Sequence, residues 1–584
     1  MGEREIKMKK INKEIGWLLL VTIISAIIFV ALYLRTGIRV ENIQETGSTL
    51  ENWSIESSMA NNLPLKEDKG IYTVEPDNTI HDVYISVLPT KDENGEMLEF
   101  SDFSKHVARD HTYNPTLKCN IQILPEGEKP DIAANLDISN ATIRVRGNSA
   151  RGELYKSYKI KLSDEEGVFN GQTSLNINKH SEDTSKVTTK YCTDILKNMD
   201  HIVSYRTKFM RVWIRDMSLP ETQQKFEYYG LFTHTEQPNK KFLEARGLSS
   251  DCTMYKARDF SFRVTDVLKN TDDPEYSEEA FEMVLGIREG KEHTKLLNML
   301  ADLNDETKSF EEVFPKYFNE ENYLTWLSFN LLVGGEDILN HNFIIYNPDN
   351  SLTWYFFPWD FDSNLDLTDS EFALPPSLRG GQKLNQVVLH RRFFRIPGNL
   401  EKLQKKMKEV KDTYFNEKTV KYYVDSYKPV LEKTMTLMPD ISLLPMQPDE
   451  LFPYIDSFHD YSERKYQEFL DAFEYPSPMF VSMPVRNSDG TLKLSWDNSY
   501  SYQGRTITYN VKIASDCYME DILFEQKNIV TNSIDADIDL PAGTYYIMVT
   551  AVDSEGNEQL SLEHYEFAGT RFIYEHGVME FILE

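Results

Sequence analysis

Three acids and two amides stand in two short segments near the middle of the chain, and all five are residue types that bind metal ions. The first segment carries Asp337, Asn340 and Asn342, and the second carries Asp360 and Asp362. Carboxylate and amide oxygens are hard ligands of the kind that Mg²⁺ prefers in proteins. The alternative is a polar turn that leads into an ordinary hairpin and binds nothing.

The residues between these segments predict a β-hairpin that brings the two segments together. Aromatic and β-branched runs at 343–346 and 352–357 flank the turn-forming residues 347–350. A hairpin returns the chain beside its start. We therefore expect Asp337 and Asp360 to be neighbours.

The order and spacing of these residues match those of a protein-kinase site. In such a site a base Asp is followed five residues later by a metal-binding Asn, and a second metal-binding Asp comes further along the chain. We predict that Asp337 is the base and that Asn342 and Asp360 bind Mg²⁺ or Mn²⁺. Asp362 could add a further metal contact if its segment is extended.

A second group of candidates lies upstream, in the loop 146–152 and the predicted strand 158–162. Glycines in the loop would let backbone N–H groups approach a phosphate, and alternate residues of a strand project to one face. The predicted nucleotide-binding residues here are Arg146, Gly147, Asn148, Lys159 and Lys161, with Arg144 and Arg151 adding charge. Lys161 stands where a kinase has its phosphate-binding lysine. The alternatives are an ordinary turn and a solvent-facing strand.

These motifs resemble the signature of the spore coat protein H (CotH) kinase family, whose members carry an Asp and an Asn at the first spacing and then Trp-Asp-Phe-Asp. Here the second motif is Trp359 to Asp362. Three upstream blocks, at 143–149, 156–162 and 229–236, resemble blocks of that family in the same order. The resemblance extends from Thr79 to Tyr475.

The resemblance implies an α+β fold. It predicts an atypical protein-kinase-like domain with two lobes, a β-rich N-terminal lobe and a helical C-terminal lobe. It also implies an enzyme that transfers the γ-phosphoryl group of ATP to Ser or Thr of a protein, with Mg²⁺ as cofactor. Asp337 and Lys161 would be its catalytic residues.

The resemblance bears on four further residues. Glu236 follows a predicted strand where a kinase chain crosses between lobes, so it is assigned to the nucleotide pocket; the alternative is a turn acid. Lys256 is an additional candidate for phosphate contact. A basic residue usually stands near the start of the helix predicted at 186–199, and only Lys186 and Lys190 are available for that role.

The acidic composition bears on the choice of partner. Among 584 residues, 93 Asp and Glu outnumber 63 Lys and Arg, which gives a formal net charge of −30. Nucleic acids require basic surfaces, so the charge argues against a nucleic-acid partner, whereas a basic protein substrate would be attracted. The hydrophobic content of 40% suits globular domains.

Four cysteines are present without metal-ligand or redox spacing. They are Cys119, Cys192, Cys252 and Cys517, and no two of them form a C-x-x-C pair. We expect buried free thiols rather than zinc ligands, and disulfides are not excluded.

An uncharged apolar run at 16–34 is long enough to cross a membrane as a helix. It is a membrane span or a signal sequence. No small-x-small cleavage site follows it, which favours an uncleaved anchor. Basic residues precede it, so the tail 1–15 would stay in the cytoplasm and the rest of the chain would be extracytoplasmic, as in a single-pass protein of the cell membrane.

Composition and hydrophobic periodicity divide the remaining chain into three parts. We predict a polar stalk at 35–75 without chemistry, the kinase-like domain at 76–475 and an all-β sandwich at 476–584. Helices are predicted at 186–199, 276–304, 320–332, 387–394, 400–413, 419–436 and 460–473. The sandwich resembles a fibronectin type III module, with Trp496 in its core and Tyr545 as its corner tyrosine. Few contacts should cross the boundary near Pro476.

A rival interpretation comes from another functional class. A catalytically silent, kinase-shaped adhesin or assembly scaffold would use the same anchor and sandwich, and the scarcity of ATP outside the cytoplasm favours it. The joint presence of Asp337, Asn342 and Asp360 counts against it, because a scaffold does not need all three oxygen ligands.

Overall fold

The computed structural model describes residues 62–73, 75–132, 138–163, 169–366, 374–568 and 572–584. Within these ranges the side chains of Glu336 and Asp337 are outside the description. The predicted tail and membrane span also fall outside it, as does the stalk up to residue 61. Across the described ranges, no helix combines the length and the apolar character needed to cross a membrane.

The first half of the described chain forms a closed β-barrel. The strands of this part, seven of them in the barrel, are β1 (Ile80–Leu88), β2 (Thr90–Lys91), β3 (Met97–Leu98), β4 (Leu117–Pro125), β5 (Ala141–Arg146), β6 (Ser157–Leu162), β7 (Ser174–Asn178), β8 (Thr207–Asp216) and β9 (Glu227–Glu236). The barrel order is β1-β4-β5-β6-β7-β9-β8, while β2 and β3 form a separate ribbon. Only the pairing of β1 with β8, which closes the barrel, is parallel.

Alternation along β5 and β6 decides which side chains fill the barrel. Ile143 and Val145 of β5, and Tyr158 and Ile160 of β6, belong to the buried core of the barrel. Because successive strand residues point to opposite faces, the basic residues between them lie on the outer face. The prediction that Lys159 and Lys161 share one face is confirmed.

A second sheet and a set of helices follow the barrel. The elements are α1 (Thr188–Leu196), α2 (Lys240–Ala245), β10 (Cys252–Ala257), α3 (Glu278–Val284), β11 (Leu285–Glu289), α4 (Thr294–Asn304), α5 (Phe310–Tyr317), α6 (Glu320–Leu332), β12 (Phe343–Pro348), β13 (Tyr355–Pro358), α7 (Val388–Phe394), α8 (Asn399–Tyr414), α9 (Glu417–Thr434), α10 (Leu451–Asp456) and α11 (Phe458–Ala472). The four strands form an antiparallel sheet in the order β11-β10-β12-β13. The predicted hairpin is confirmed as β12 and β13, with Tyr346 opposite Tyr355.

The single helix predicted at 276–304 is wrong, because a strand interrupts it. β11 lies between α3 and α4 and pairs with β10, with Ile287 opposite Tyr255. Gly286 leaves room for the guanidinium group of Arg258, since a Cβ there would lie 2.7 Å from Nε of that arginine. Sheet pairing thus overrides the local helical pattern.

Helix α6 is the centre of the helical part. Most of its side chains are buried, including Tyr323, Trp326 and Phe329, and it packs against α8, α11 and β13. It begins at Glu320 and ends at Leu332 as predicted, and Gly334 follows with a φ of +71°. The overall mixture of strands and helices is the predicted α+β class, while its description as two kinase-like lobes stays a prediction.

The C-terminal part is all β, as predicted. Its strands are β14 (Val485–Arg486), β15 (Leu492–Ser495), β16 (Ile507–Ala514), β17 (Ile522–Ile529), β18 (Ser533–Ala536), β19 (Gly543–Asp553), β20 (Glu558–Leu560), β21 (His564–Ala568), β22 (Phe572–His576) and β23 (Val578–Leu583). Sheets β14-β15-β18 and β17-β16-β19 enclose a core that contains Trp496 and Tyr545, and β20 and β23 extend the second sheet. Tyr545 donates a hydrogen bond to the carbonyl of Pro541 (2.9 Å). The likeness to fibronectin type III stays a prediction.

The expectation of few contacts at the Pro476 boundary is wrong. The hydroxyl of Tyr502 bonds to Gln382 and Asn385 of the helical part, at 3.2 and 3.1 Å. The ring of Tyr502 also packs edge-on against Phe473, with centroids 5.0 Å apart. The sandwich keeps its own core but is joined to the helices by polar and aromatic contacts.

The chain is folded before residue 76, where the predicted stalk ends. The N-terminal segment, defined here as residues 62–73, places Leu65 in a buried cluster with Tyr205 and Phe242. Tyr355 donates a hydrogen bond to the carbonyl of Leu63 (2.8 Å). This part of the predicted stalk therefore belongs to the globular unit.

Candidate functional site

The two acids after β13 have carboxylates without partners among the residues that the structure describes. Trp359 anchors this point by packing against Tyr205, with ring centroids 5.3 Å apart. Asp360 is exposed and Asp362 half-buried, and neither accepts a hydrogen bond or forms an ion pair with any described residue. Carboxylates that are held in place but left unpaired suit the binding of a cation.

The backbone is strained at two predicted metal ligands. Asn342 has a φ of +59° and Asp360 a φ of +66°. This left-handed region is uncommon for residues other than glycine, and it persists where the surrounding structure enforces it, often at functional sites. The two residues stand at the entry and the exit of the β12–β13 hairpin.

Negative charge accumulates around Asp362. Burial, followed by the charges of Asp360, Asp183 and Glu182, holds the pKa of Asp362 well above its usual range, and Arg146 opposes this only in part. A divalent cation would relieve the repulsion between the carboxylates. The residues present therefore fit Mg²⁺ chemically.

Asp337 can be placed only by its backbone. It lies on the 3-10 turn Glu336–Leu339, between α6 and β12. Its proximity to Asp360 stays a prediction, because its side chain is outside the described part of the chain. Without that carboxylate, no cluster of three or more His, Cys, Asp or Glu side chains in the described ranges could hold a metal ion.

A small cavity joins the predicted nucleotide residues to the acidic segment. Its volume is about 20 Å³, and its wall contains Arg146 together with Asp360. The other lining residues are Asn178, Thr189, Thr193, Tyr205, Thr235, Trp359 and Phe361. The cavity therefore lies where the outer face of the barrel meets the segment after β13 and helix α1.

Six cations surround this meeting point, and we call them the basic cluster: Arg144, Arg146, Lys159, Lys256, Arg258 and Arg288. Arg144 and Lys159 are direct cross-strand partners on β5 and β6. Arg258 pairs with Glu282 at 3.4 Å, whereas the other five form no ion pair with any described residue.

Burial and repulsion between the positive charges of the basic cluster lower the pKa of both of its lysines. Burial and the charges of Arg144, Arg288, Arg146 and Lys161 lower the pKa of Lys159 to about 8. Burial likewise lowers the pKa of Lys256 to about 8; Asp360 opposes the shift, while neighbouring arginines add to it. Like charges held this close favour the binding of an anion.

The two lysines predicted on β6 differ in their surroundings. Lys161 is exposed and lies opposite Thr142 and Ser174. Lys159 is half-buried and lies opposite Arg144 and Asn176. Lys159 thus lies within the basic cluster, whereas the kinase analogy favours Lys161 as the phosphate-binding lysine.

The predicted phosphate loop is exposed to solvent, and hydrogen bonds to residues 110–113 hold it in place. Gly147 has a φ of +101°, and the side chain of Asn148 bonds to His111 (3.2 Å). Arg151 is buried and donates hydrogen bonds to the carbonyls of Asp110 and Tyr113, at 2.9 and 2.8 Å. Arg151 therefore supports the loop instead of adding free charge to it.

The side chain of Glu236 is fully engaged inside the protein. Its carboxylate is buried and forms ion pairs with Arg206 and Arg246. Its backbone N–H donates to the carbonyl of Arg206 (3.3 Å), so its backbone carbonyl is the group left to consider for contact with a nucleotide. Arg246 also approaches Glu67 of the N-terminal segment, at 3.4 Å.

The lysines near the start of α1 are engaged as well. Lys186 donates hydrogen bonds to the carbonyls of His180 and Ser181, at 3.2 and 3.0 Å, and Lys190 pairs with Asp194 at 2.6 Å. The start of α1 is capped by Asp183, which accepts hydrogen bonds from the backbone N–H and hydroxyl groups of Ser185 and Thr188.

Sequence reasoning missed Arg258 and Arg288. Arg288 lies on β11, which the helical pattern concealed, and Arg258 follows β10 directly. An alternating pattern over 285–289 was the only signal that could have revealed a strand there. All four cysteines are buried free thiols, as predicted.

Comparison with known families places this site within a recognised domain. The family model "CotH kinase protein" matches residues 143–461, more than half of the chain. The match contains every predicted site residue from Arg146 to Asp362. No curated protein matches the chain.

Proposed function

Because the chain belongs to the CotH kinase family, we propose that it transfers the γ-phosphoryl group of ATP to Ser or Thr hydroxyls of a protein. One observation carries the proposal. Asp360 and Asp362, whose carboxylates have no partner in the described ranges, lie beside Arg146 and Lys256, which form no ion pair there either. A metal-bound polyphosphate would supply both missing partners at once.

The proposed roles follow the chemistry of each side chain. Arg146, Lys159 and Lys161 bind the phosphates, with the backbone of Gly147, Asn148 and Glu236 as further nucleotide contacts. Asn342, Asp360 and Asp362 hold Mg²⁺, or Mn²⁺ in its place. When bound, the metal offsets negative charge on the phosphates.

The transfer step needs one proton acceptor. The acceptor hydroxyl oxygen forms a bond to the γ-phosphorus while the bond from that phosphorus to the bridging oxygen breaks, and ADP leaves. Asp337 orients the hydroxyl and accepts its proton. The cations of the basic cluster stabilise the negative charge on the phosphates throughout.

The same observation weighs against a silent scaffold. Partly buried charges of like sign that are held close together lower the stability of a protein unless a ligand binds them. A scaffold would gain nothing from keeping them, and sites that keep such costly features are usually functional.

We propose that the enzyme acts outside the cytoplasm. The apolar run 16–34 would be an uncleaved single-pass anchor in the cell membrane, and the acidic chain would favour a basic protein substrate. Surface or spore-coat-type proteins fit this location, and the sandwich would serve as a spacer or binding module.

The direct test is transfer from labelled ATP. The purified protein should label itself or a Ser/Thr-containing acceptor when Mg²⁺ is present, and phosphoamino-acid analysis should give phosphoserine or phosphothreonine. Mg²⁺-dependent ATP binding without any transfer to a panel of acceptors would support the scaffold. Loss of ATP binding altogether would refute both the activity and the assigned nucleotide site.

A further inference from the structure

Arg288 has a buried hydrogen-bond donor that no described residue satisfies. Its Nε has no solvent contact and no hydrogen-bond acceptor in the described part of the protein. The residue lies on β11, at the edge of the second sheet, and belongs to the basic cluster. Buried guanidinium N–H groups normally bond to an acid or a carbonyl, so Nε of Arg288 lacks, among the described residues, the partner that its burial requires.

The charges around Arg288 make this arrangement unfavourable in the free protein. Burial, together with Arg258, Arg146 and Arg144, lowers the pKa of Arg288, and Glu282 opposes this in part. Glu282 itself is hydrogen-bonded to Arg258 and to the backbone N–H of Ile287, at 3.4 and 3.1 Å. A local acid therefore does not satisfy Arg288.

The basic cluster has two walls that come from different sheets. Arg144, Arg146 and Lys159 project from the outer face of the barrel. Arg288 and Lys256 come from β11 and β10, and Lys256 is fixed by Trp359, whose ring centre lies 5.7 Å from its Nζ. An anion with several charged groups could bind both walls, because guanidinium groups bind pairs of phosphate oxygens.

We propose that the second sheet is one wall of a polyphosphate site, in which Arg288, supported by Lys256, binds the β- and γ-phosphates of the nucleotide opposite Arg146 and Lys159. Arg288 thereby holds the terminal phosphate close to the acids after β13, which would bind the metal ion that accompanies it. The identity of the ligand as ATP rests on the proposed function. The binding of a linear polyphosphate does not.

The test measures the binding of tripolyphosphate, ATP and AMP to Arg288→Met by calorimetry. Methionine keeps much of the side-chain volume and removes the charge and the donors. Tripolyphosphate, measured without metal, and ATP with Mg²⁺ should bind roughly tenfold more weakly or worse. AMP affinity should be unchanged, because AMP lacks the two phosphates in question.

Arg395→Met is the matched control. Nε of Arg395 is likewise buried without a partner, but this residue follows α7 and donates to the carbonyl of Asn498 (3.3 Å). Its variant should bind tripolyphosphate like the unaltered protein. Equal losses in both variants would show a general effect of removing arginine and would overturn the proposal.

The melting temperature of the ligand-free protein separates binding from a structural role. Arg288→Met should melt at the same or a higher temperature, because it removes repulsion, while gaining less stability from tripolyphosphate. A lower melting temperature together with equal losses of AMP and ATP binding would show that Arg288 only stabilises the fold, and it would overturn the proposal. Arg288→Lys, which keeps the charge, should retain part of the affinity.

The two proposals fail in different ways. Unaltered protein that binds tripolyphosphate through Arg288 but transfers no phosphoryl group would refute the kinase activity and leave this site standing. Normal tripolyphosphate affinity in Arg288→Met would refute the site, whatever the activity.

Discussion

At the scale of single residues, several charged side chains of the candidate site differ from other charged side chains of the fold because they have no partner among the described residues. Glu236, Lys179 and Asp183 are buried, and each carries several hydrogen bonds or ion pairs. Asp360, Asp362 and Arg146 lie close together without such bonds in the described structure. Groups that a fold positions but does not satisfy are available to a ligand.

Substitutions at the two candidate acids should separate metal binding from proton transfer. Asp360→Ala removes a charged oxygen ligand, so Mg²⁺-dependent ATP binding and transfer should both fall. Asp337→Asn keeps the shape but accepts a proton poorly, so binding should survive while transfer drops by roughly 10²-fold or more. Calorimetry and labelled-ATP assays measure the two effects. Full activity in both variants would exclude this mechanism.

The pKa of Lys159 predicts proton uptake when a polyphosphate binds. In the free protein Lys159 is about half protonated near pH 8, since its pKa is lowered to about 8. A bound anion raises that pKa, so binding at pH 8 should take up protons, whereas at pH 6.5 Lys159 is already charged and contributes none. Titrations in buffers of different ionisation enthalpy measure this uptake.

Two conservative variants isolate the contribution of Lys159. Lys159→Arg is always charged, so it should lose the part of the uptake that Lys159 supplies. Lys161→Arg, on the exposed neighbour of the same strand, should leave the uptake as it is. If the uptake is unchanged in Lys159→Arg, another group titrates and the assignment is wrong.

The motifs identified the acidic residues of the site better than its basic ones. Asp360 and Asp362 follow a hairpin whose strand pattern is local and therefore readable. Arg288 becomes part of the site only because β11 pairs with β10, and that pairing depends on residues about thirty positions apart. The engagement of Glu236 by Arg206 and Arg246 is likewise a tertiary contact that no local pattern contains.

At the scale of elements, one buried ion pair connects the barrel to the helical part. Lys179, just after β7, pairs with Asp440 at 2.5 Å, and Asp440 also accepts from the backbone N–H of Leu231 on β9 (2.9 Å). Burial raises the pKa of Asp440 and lowers that of Lys179, and the attraction between them opposes both shifts. The pair is therefore costly to break, even if its net contribution is small.

Breaking this pair from one side should destabilise the protein strongly. Asp440→Ala leaves the Lys179 charge buried and unpaired, which typically costs about 3–5 kcal/mol. The double variant Lys179→Met with Asp440→Leu should lie much closer to the unaltered protein. Denaturant unfolding measures both values.

An exposed pair serves as the control. Lys421 and Asp425 are exposed on α9 and 3.1 Å apart, so Asp425→Ala should change stability little. A loss in Asp440→Ala no larger than that in Asp425→Ala would contradict the role assigned to the buried pair.

Individual strands were easier to predict than the sheet that they form. The alternation along β1, β4, β5 and β6 predicts strands, because each buries one face. The closure of the barrel depends on the parallel pairing of β1 with β8, whose partners Ile80 and Phe209 are far apart in sequence. Nothing in either strand encodes that pairing locally.

At the scale of the whole molecule, the sandwich supports the helical part. A fragment that ends at Tyr475 loses Tyr502 and exposes the ring of Phe473. Because the barrel and the second sheet keep their own cores, the fragment should still bind ATP but melt at a lower temperature. Tyr502→Ala in the full chain should reproduce part of that decrease. A fragment with an unchanged melting temperature would show that the interface contributes no stability.

The contacts of the N-terminal segment lead us to expect that the residue at which a fragment begins also affects its melting temperature. A fragment that begins at residue 76 lacks Leu65, Glu67 and Tyr72, and it leaves Arg246 with Glu236 as its remaining acidic partner. It should melt below a fragment that begins at residue 59. Glu67→Gln in the longer fragment, which removes the charge near Arg246, should reproduce part of the difference. Equal melting temperatures would restore the stalk as first predicted.

The N-terminal segment also decides how the protein responds to force. Whatever residues 1–61 are attached to, a pull on them enters the described fold at residue 62. From there the load first meets the hydrogen bonds of residues 62 and 63 to Thr353, Asn319 and Tyr355. It then meets the ion pair between Glu67 and Arg246, and Arg246 is in turn paired with Glu236 at the end of β9. Tension would therefore be resisted in succession, first by hydrogen bonds near β13 and the start of α6 and then by a buried ion pair beside the barrel.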